Sequence, residues 1–220
     1  MSTLLRPGSR LARVALGGGA AAFARSLMVL NAFVSVKTLV PYLGPERYGV
    51  MAAITSLTAV LSFADLGLGN GLITALSRTP SGPGGTATSQ RFVSSAFFAT
   101  AGLAVVWGVV AVAVVPNVTV LSSPGAPYDG ARHAAWAFAA VFCLVIPLSV
   151  IPKIHIGLQE NHIASAFSGL GSLVSLVSVV VLARTEGTLP QLVVATVCGP
   201  VVAAVANAAY LFGFRRPWLT

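Results

Sequence analysis

Apolar residues run along this chain in long continuous blocks rather than in alternation, and polar residues gather between the blocks. Six blocks stand out, at about 18–43, 48–77, 92–115, 133–157, 162–184 and 189–214. With a rise of about 1.5 Å per helical residue, a run near 20 residues covers the hydrocarbon thickness of a bilayer. Backbone groups in lipid are satisfied only within helices or closed barrels, and barrel strands alternate apolar with polar positions. Continuous blocks therefore predict helices. The expected fold is all-α: a polytopic membrane protein, a bundle of six transmembrane helices preceded by a basic segment 1–17 and followed by a short tail 215–220.

The punctuation between blocks predicts where the chain turns. Gly44-Pro45 is a helix-breaking corner, and Gly67, Gly69 and Gly71 surround Asn70 at the close of the second block. Residues 78–91, rich in Ser, Thr, Gly and Pro, predict an exposed, mobile loop. Pro116-Asn117 ends the third block, and a Pro/Gly-containing linker leads to Arg132. Pro147 and Pro152 each remove a backbone donor and predict kinks in the fourth helix. Gly157-Leu158-Gln159-Glu160-Asn161 predicts a tight polar turn. Gly169, Gly171 and a run of serines predict a close helix neighbour for the fifth helix, and Gly199-Pro200 interrupts the sixth.

Composition supports the membrane reading. The chain is 56% hydrophobic and 8% charged, against roughly 25% charged in soluble domains. The net charge of +8 comes from 13 basic and 5 acidic residues. With no basic cluster interleaved with aromatics, it reads as an orientation signal and not as a nucleic-acid footprint. Arg6, Arg10, Arg13, Arg78, Arg91, Arg215 and Arg216 fall on one side, with Lys153 near that face; Arg47, Arg132 and Arg184 fall on the other, each near an acid. This predicts a multi-pass protein of the cell membrane with both termini cytoplasmic. Cys143 and Cys198 lie inside apolar blocks and read as small core residues, with no disulfide or metal site.

Ionisable residues within the blocks are the candidate functional groups: Arg25, Lys37, Asp65, Lys153 and His155. Arg25 and Asp65 fall at similar depth and are expected to pair or to share a polar cavity. Lys37 reads as a snorkelling side chain, and Lys153 and His155 do so at least as readily as they read as site residues. Asn31, Ser35 and Thr38 recur at i, i+4 and i+7, a stripe that faces either a water-filled cavity or a neighbouring helix. The candidate cavity residues are thus Arg25, Asn31, Ser35, Lys37, Asp65 and Asn70. His155 and Glu160 have an H-x4-E spacing loosely like that of membrane acyltransferases. Five acids offer little for metal-assisted transfer, and no phosphate-binding loop is present, so no enzyme activity and no cofactor are expected.

Two segments resemble a known family. Leu43-Gly44-Pro45-Glu46-Arg47-Tyr48-Gly49, followed after an apolar stretch by Ala64-Asp65-Leu66-Gly67-Leu68-Gly69-Asn70-Gly71, is similar to the first hairpin of the polysaccharide (O-antigen-type, Wzx-like) flippases of the multidrug/oligosaccharidyl-lipid/polysaccharide exporter superfamily. Gly157-Leu158-Gln159-Glu160-Asn161 with His162-Ile163 resembles that family's turn between helices four and five. The resemblance implies translocation of a polyprenyl-diphosphate-linked oligosaccharide by alternating access between two six-helix lobes, with Arg25 and Lys37 offsetting the diphosphate charge. Six helices make one such lobe. The expected partners are membrane lipids, the lipid-linked oligosaccharide and a second lobe: another copy, another chain or a C-terminal half. A drug or cation exporter of the same superfamily, and a non-transporting subunit of an envelope-glycan assembly, are the alternatives. The glycan carried and the driving force (proton, sodium or membrane potential) are not legible.

Overall fold

Gly44 breaks the first helix where the sequence places its corner. In the computed structural model, which describes residues 10–59, 66–79, 83–117 and 130–215, α1 (Arg10–Ser56) leaves helical geometry at Gly44, with φ 76° and ψ 162°. Pro45 disfavours the helical region for its predecessor, and glycine alone adopts this φ without a Cβ penalty. The first arm is already helical at Arg10, so the helix starts inside the segment expected to lie outside the membrane.

The second block is not one continuous helix. Its first part is the arm 45–56 of α1, and its second part is α2 (Leu68–Arg78), which begins after Leu66 (φ 49°) and Gly67 (φ 80°) in left-handed conformation. Gly67 supplies the positive φ, and its carbonyl accepts from Gly71 N–H at 3.0 Å as the helix restarts. Met51 and Ile54 pack with Val115, Ala131 and Leu189, whereas Leu72 and Leu76 pack with Val93, Ile151 and Ile154. The described parts of 45–78 therefore lie at the two ends of the bundle, and the left-handed Leu66-Gly67 step keeps the block from being one helix.

The remaining helices run up and down between these two ends. They are α3 (Pro83–Val114, closed by a 3-10 turn, Val115–Asn117), α4 (Ala131–Leu148), α5 (Val150–Gly157), α6 (Asn161–Arg184) and α7 (Leu189–Tyr210, continued by a π-helical turn at Leu211–Arg215). Residues 83–91, expected as loop, are the first turns of α3. A proline at the first helical position loses no hydrogen bond and has its φ already set for a helix, which outweighs the loop-like composition around it. Ser149 divides α4 from α5 between Pro147 and Pro152.

Two turns of the same type join the helices next to the cavity described below. At the end of α5, Gln159 takes φ 61°, Glu160 N–H donates to His155 O at 2.7 Å and Gln159 N–H to Ile156 O at 3.0 Å. This is the Schellman pattern, with the left-handed position filled by Gln instead of Gly. At the end of α6, Glu186 (φ 57°) takes that position and Gly187 N–H donates to Leu182 O at 2.8 Å. Relieving the left-handed glutamine is expected to stabilise the bundle: Gln159→Gly should gain roughly 0.5–1 kcal/mol, read as a rise in the unfolding midpoint of the purified protein.

Five helical stretches are long and apolar enough to cross a membrane: Gly18–Ser56, Gly84–Asn117, Ala131–Gly157, Asn161–Arg184 and Leu189–Phe214. Their outer surfaces are apolar. Phe98, Val105, Val109 and Val112 are exposed along α3, as are Phe23, Val29 and Phe33 along α1. Apolar surface on this scale matches lipid better than water. The protein is a helical, multi-pass membrane bundle.

Candidate functional site: a cavity with a hydroxyl cluster backed by a buried histidine

The contact between α6 and α7 is built from the smallest residues. Gly171 and Gly199 face each other so closely that a Cβ on Gly171 would lie 2.7 Å from Gly199 O, and one on Gly199 would overlap Gly171 O. Small residues let membrane helices meet backbone to backbone, which the glycine-serine pattern of α6 predicts. Pro200 has no N–H to give to Thr196 O, four residues earlier. Ser175 on α6 supplies the missing donor: its Oγ donates to Thr196 O at 3.1 Å and accepts from Gly199 N–H at 3.2 Å. Ser175→Ala should leave both backbone groups without that partner and cost about 1 kcal/mol, measurable as a lowered thermal midpoint.

Beside this contact, α1, α4, α5, α6 and α7 enclose a cavity of about 430 Å³. Ser149, Ser168, Ser172 and Thr196 line it, and Pro152 and Pro200 stand in its wall. Each of these hydroxyls donates to a carbonyl of its own helix: Ser149 to Ile146, Ser168 to Ala164, Ser172 to Ser168 and Thr196 to Val193, at 2.7–3.2 Å. Their protons are thereby committed, and their oxygen lone pairs remain to accept. No charged residue lines the cavity, and these hydroxyls are acceptors set in a mainly apolar wall that includes Met28, Val145, Leu148 and Phe167. Two amides, Asn31 and Asn207, also line it.

Behind Asn207 lies a buried imidazole, whose sequence context suits a snorkelling side chain at least as readily as a site residue. His155 is fully buried. Its Nδ1 sits 3.3 Å from Glu160 Oε2 and its Nε2 sits 2.7 Å from Asn207 Oδ1. The Schellman turn positions the first contact, since it folds the residue after Gln159 back over the last turn of α5. The second joins α5 to α7 across 52 residues of sequence. Glu160 and Asn207 are buried as well, and burying such groups is tolerable only because each is hydrogen-bonded. Lys153, on the same helix, is half-buried.

The six residues expected at a cavity separate. Asn31 lines it, and Ser35 Oγ donates to Asn31 Oδ1 at 3.2 Å from one turn further along α1. Arg25 and Lys37 are exposed on α1, and Asn70 is exposed on α2; none of the three lines this cavity. Asp65, and with it the expected Arg25–Asp65 pair, lies outside the described residues. Among the described residues, no three His, Cys, Asp or Glu side chains come together as a metal-ligand set. A second, larger cavity of about 830 Å³ lies between the short arm of α1, α3 and α4; Trp107, Phe138 and Phe142 line it, and Glu46 is the one charged residue on its wall.

The sequence matches no protein-family model, and neither a curated protein nor a solved structure matches it.

Proposed function

We propose that the chain is one lobe of a membrane transporter, not an enzyme, and that it moves a polyprenyl-diphosphate-linked oligosaccharide from the cytoplasmic to the outer leaflet of the cell membrane. The observation that carries this reading is an uncharged cavity inside a membrane-spanning bundle, with hydroxyl acceptors set in a mainly apolar wall. Sugar hydroxyls are donors, and an acceptor wall receives them without the desolvation cost of a buried charge. The larger apolar cavity on the other side of α4 has the character a polyprenyl tail needs. Arg25 and Lys37 are exposed among apolar residues of α1. In lipid each charge costs about 2.5–3.5 kcal/mol, so this face is better matched to a second lobe enclosing a diphosphate between the two. The basic residues at the Arg78 and Arg91 end support a cytoplasmic position for that end by the positive-inside rule.

Filling the cavity tests the reading. Ser172→Trp in the native membrane is expected to remove most translocated lipid-linked glycan while insertion and abundance stay at the wild-type level. Unchanged translocation with the cavity filled overturns the proposal. An acceptor-lined wall also suits an ammonium group, which favours the cation exporter as second reading. In that case Ser172→Trp raises sensitivity to toxic organic cations and leaves surface glycan intact.

A further inference from the structure

At the end of the bundle away from Arg78 and Arg91, the corner of α1 and the turn between α6 and α7 enclose a third cavity, of about 410 Å³. Tyr42 ties the two elements together by donating its hydroxyl proton to Gly187 O at 3.1 Å. Leu43 and the buried Leu189 supply apolar wall, and Arg47, Glu186 and Thr188 supply the polar groups. Glu186 reaches the wall in left-handed backbone, at φ 57°, where a glycine would sit free of strain. The turn thus keeps a carboxylate at this cavity at some cost to itself.

Arg47 and Glu186 line the same cavity with opposite charges and form no ion pair with each other. The wall therefore offers two separate sets of partners. The Arg47 guanidinium and the Thr188 hydroxyl donate. The Glu186 carboxylate accepts, and so do the lone pairs of Tyr42 Oη, whose proton goes to Gly187 O. The first turn of α7 is not the source of donors: Thr188 N–H goes to Gln191 Oε1 at 2.8 Å, and Pro190 has no N–H. A ligand that satisfies both sets carries an anionic group and a protonated amine a short link apart. We propose that this cavity binds the headgroup of an ethanolamine phospholipid, with its phosphate on Arg47 and Thr188 and its ammonium on Glu186 and Tyr42 Oη.

The lipid source follows from position. The apolar stretches Asn161–Arg184 and Leu189–Phe214 end and begin at this turn, which puts the cavity where hydrocarbon gives way to headgroups. Tyr42 is partly exposed there, at the level where tyrosines concentrate in membrane proteins. The amine is primary because both of its partners accept hydrogen bonds. A choline headgroup has no N–H to give them and is held instead by a cage of aromatic faces, whereas Tyr42 is the one aromatic residue on this wall. An anionic glycerol headgroup meets Arg47 but leaves its phosphate beside the Glu186 carboxylate. The other charges near this turn stay out of the wall: Glu46 lines the larger apolar cavity, and Arg132 and Arg184 do not line this one.

The test is native mass spectrometry of the full chain, released from mixed micelles that contain equal amounts of phosphatidylethanolamine, phosphatidylcholine and phosphatidylglycerol with identical acyl chains. The wild-type chain is expected to retain the ethanolamine lipid over each of the others by about three- to fivefold, the upper range for one exposed ion pair. Glu186→Gln should erase the preference over phosphatidylglycerol, and Arg47→Gln should lower retention of all three lipids. Both side chains are exposed, so neither replacement disturbs the packed bundle, and the wild-type comparison needs no replacement at all. Equal retention of the three lipids by the wild type overturns the proposal, as does a preference that survives Glu186→Gln. An Arg47→Gln chain that retains more ethanolamine lipid than the wild type means that the two side chains pair with each other, and overturns it too. Soluble glycerophosphoethanolamine separates the two sources of this chemistry: at matched concentration it should leave the bound lipid in place, and displacement assigns the cavity to a free solute and overturns the lipid assignment. None of these readouts involves translocation, so the proposal stands or falls independently of the transport reading.

Discussion

Gly199→Ala is expected to destabilise the bundle by about 2–3 kcal/mol, because the added methyl has nowhere to go. The atoms it meets are Gly171 O and Ser175 Oγ. The first is backbone on the facing helix and cannot swing aside. The second holds both Thr196 O and Gly199 N–H, so displacing it loses two hydrogen bonds as well. Overpacking a tight core typically costs about 1–3 kcal/mol, and this site combines overpacking with lost pairing. Gly171→Ala should behave alike, since its Cβ would meet Gly199 O at 2.7 Å and Ala203 Cβ at 3.0 Å. The comparison that gives the number meaning is Gly102→Ala on α3, where a Cβ meets nothing within 4 Å. There alanine's helix propensity should leave stability unchanged or raised by up to about 1 kcal/mol. Reversible unfolding in mixed micelles reads all three. A Gly199→Ala protein as stable as Gly102→Ala means that the helices slide apart freely, and the close crossing of α6 and α7 is not a structural requirement.

The bundle and the close α6–α7 crossing were legible in the sequence for a simple reason. Bilayer thickness imposes a length on every span, and glycine, serine and proline are the residues that make contacts and breaks within spans. Gly44, Pro147, Pro152, Gly171 and Gly199 all mark features of the structure. Continuity of the second block was misjudged because hydrophobicity does not register the left-handed Leu66-Gly67 step. The start of α3 was misjudged because Ser, Thr and Gly argue for a loop and only Pro83 argues for a helix. The site was the least visible part. His155 looked like an end-of-helix basic residue, and its second partner, Asn207, is distant in sequence and brought near only by packing. Its first partner carried a usable signal. A Schellman turn places the residue at its far end over the last helical turn, often with a contact between that residue and the one five positions earlier. His155 and Glu160 hold those two places across Gly157-Leu158-Gln159. In most such turns the contact is hydrophobic, and here it is an acid against an imidazole.

His155→Leu is expected to destabilise the bundle by about 1–3 kcal/mol. Leucine is close in volume to the imidazole, so the cost is not a void. It is the two groups left behind. Glu160 and Asn207 are both buried, and each loses its bond to the ring. Removing one partner of a buried hydrogen bond while the other stays costs more than replacing both by apolar groups of similar shape. The replacement that distinguishes this cause from poor packing is therefore a larger one. Adding Glu160→Gln and Asn207→Leu to His155→Leu removes the acid and the amide that face the missing ring, and should recover part of the lost stability. If the triple variant remains as unstable as His155→Leu, the shape of the imidazole holds α5 against α7 and its hydrogen bonds do not. Recovery in the triple variant, with the single variant unstable, places the energy in the Glu160–His155–Asn207 bonds. It also separates stability from function: the recovered protein keeps the hydroxyls of the cavity wall, and its structure is held without the imidazole.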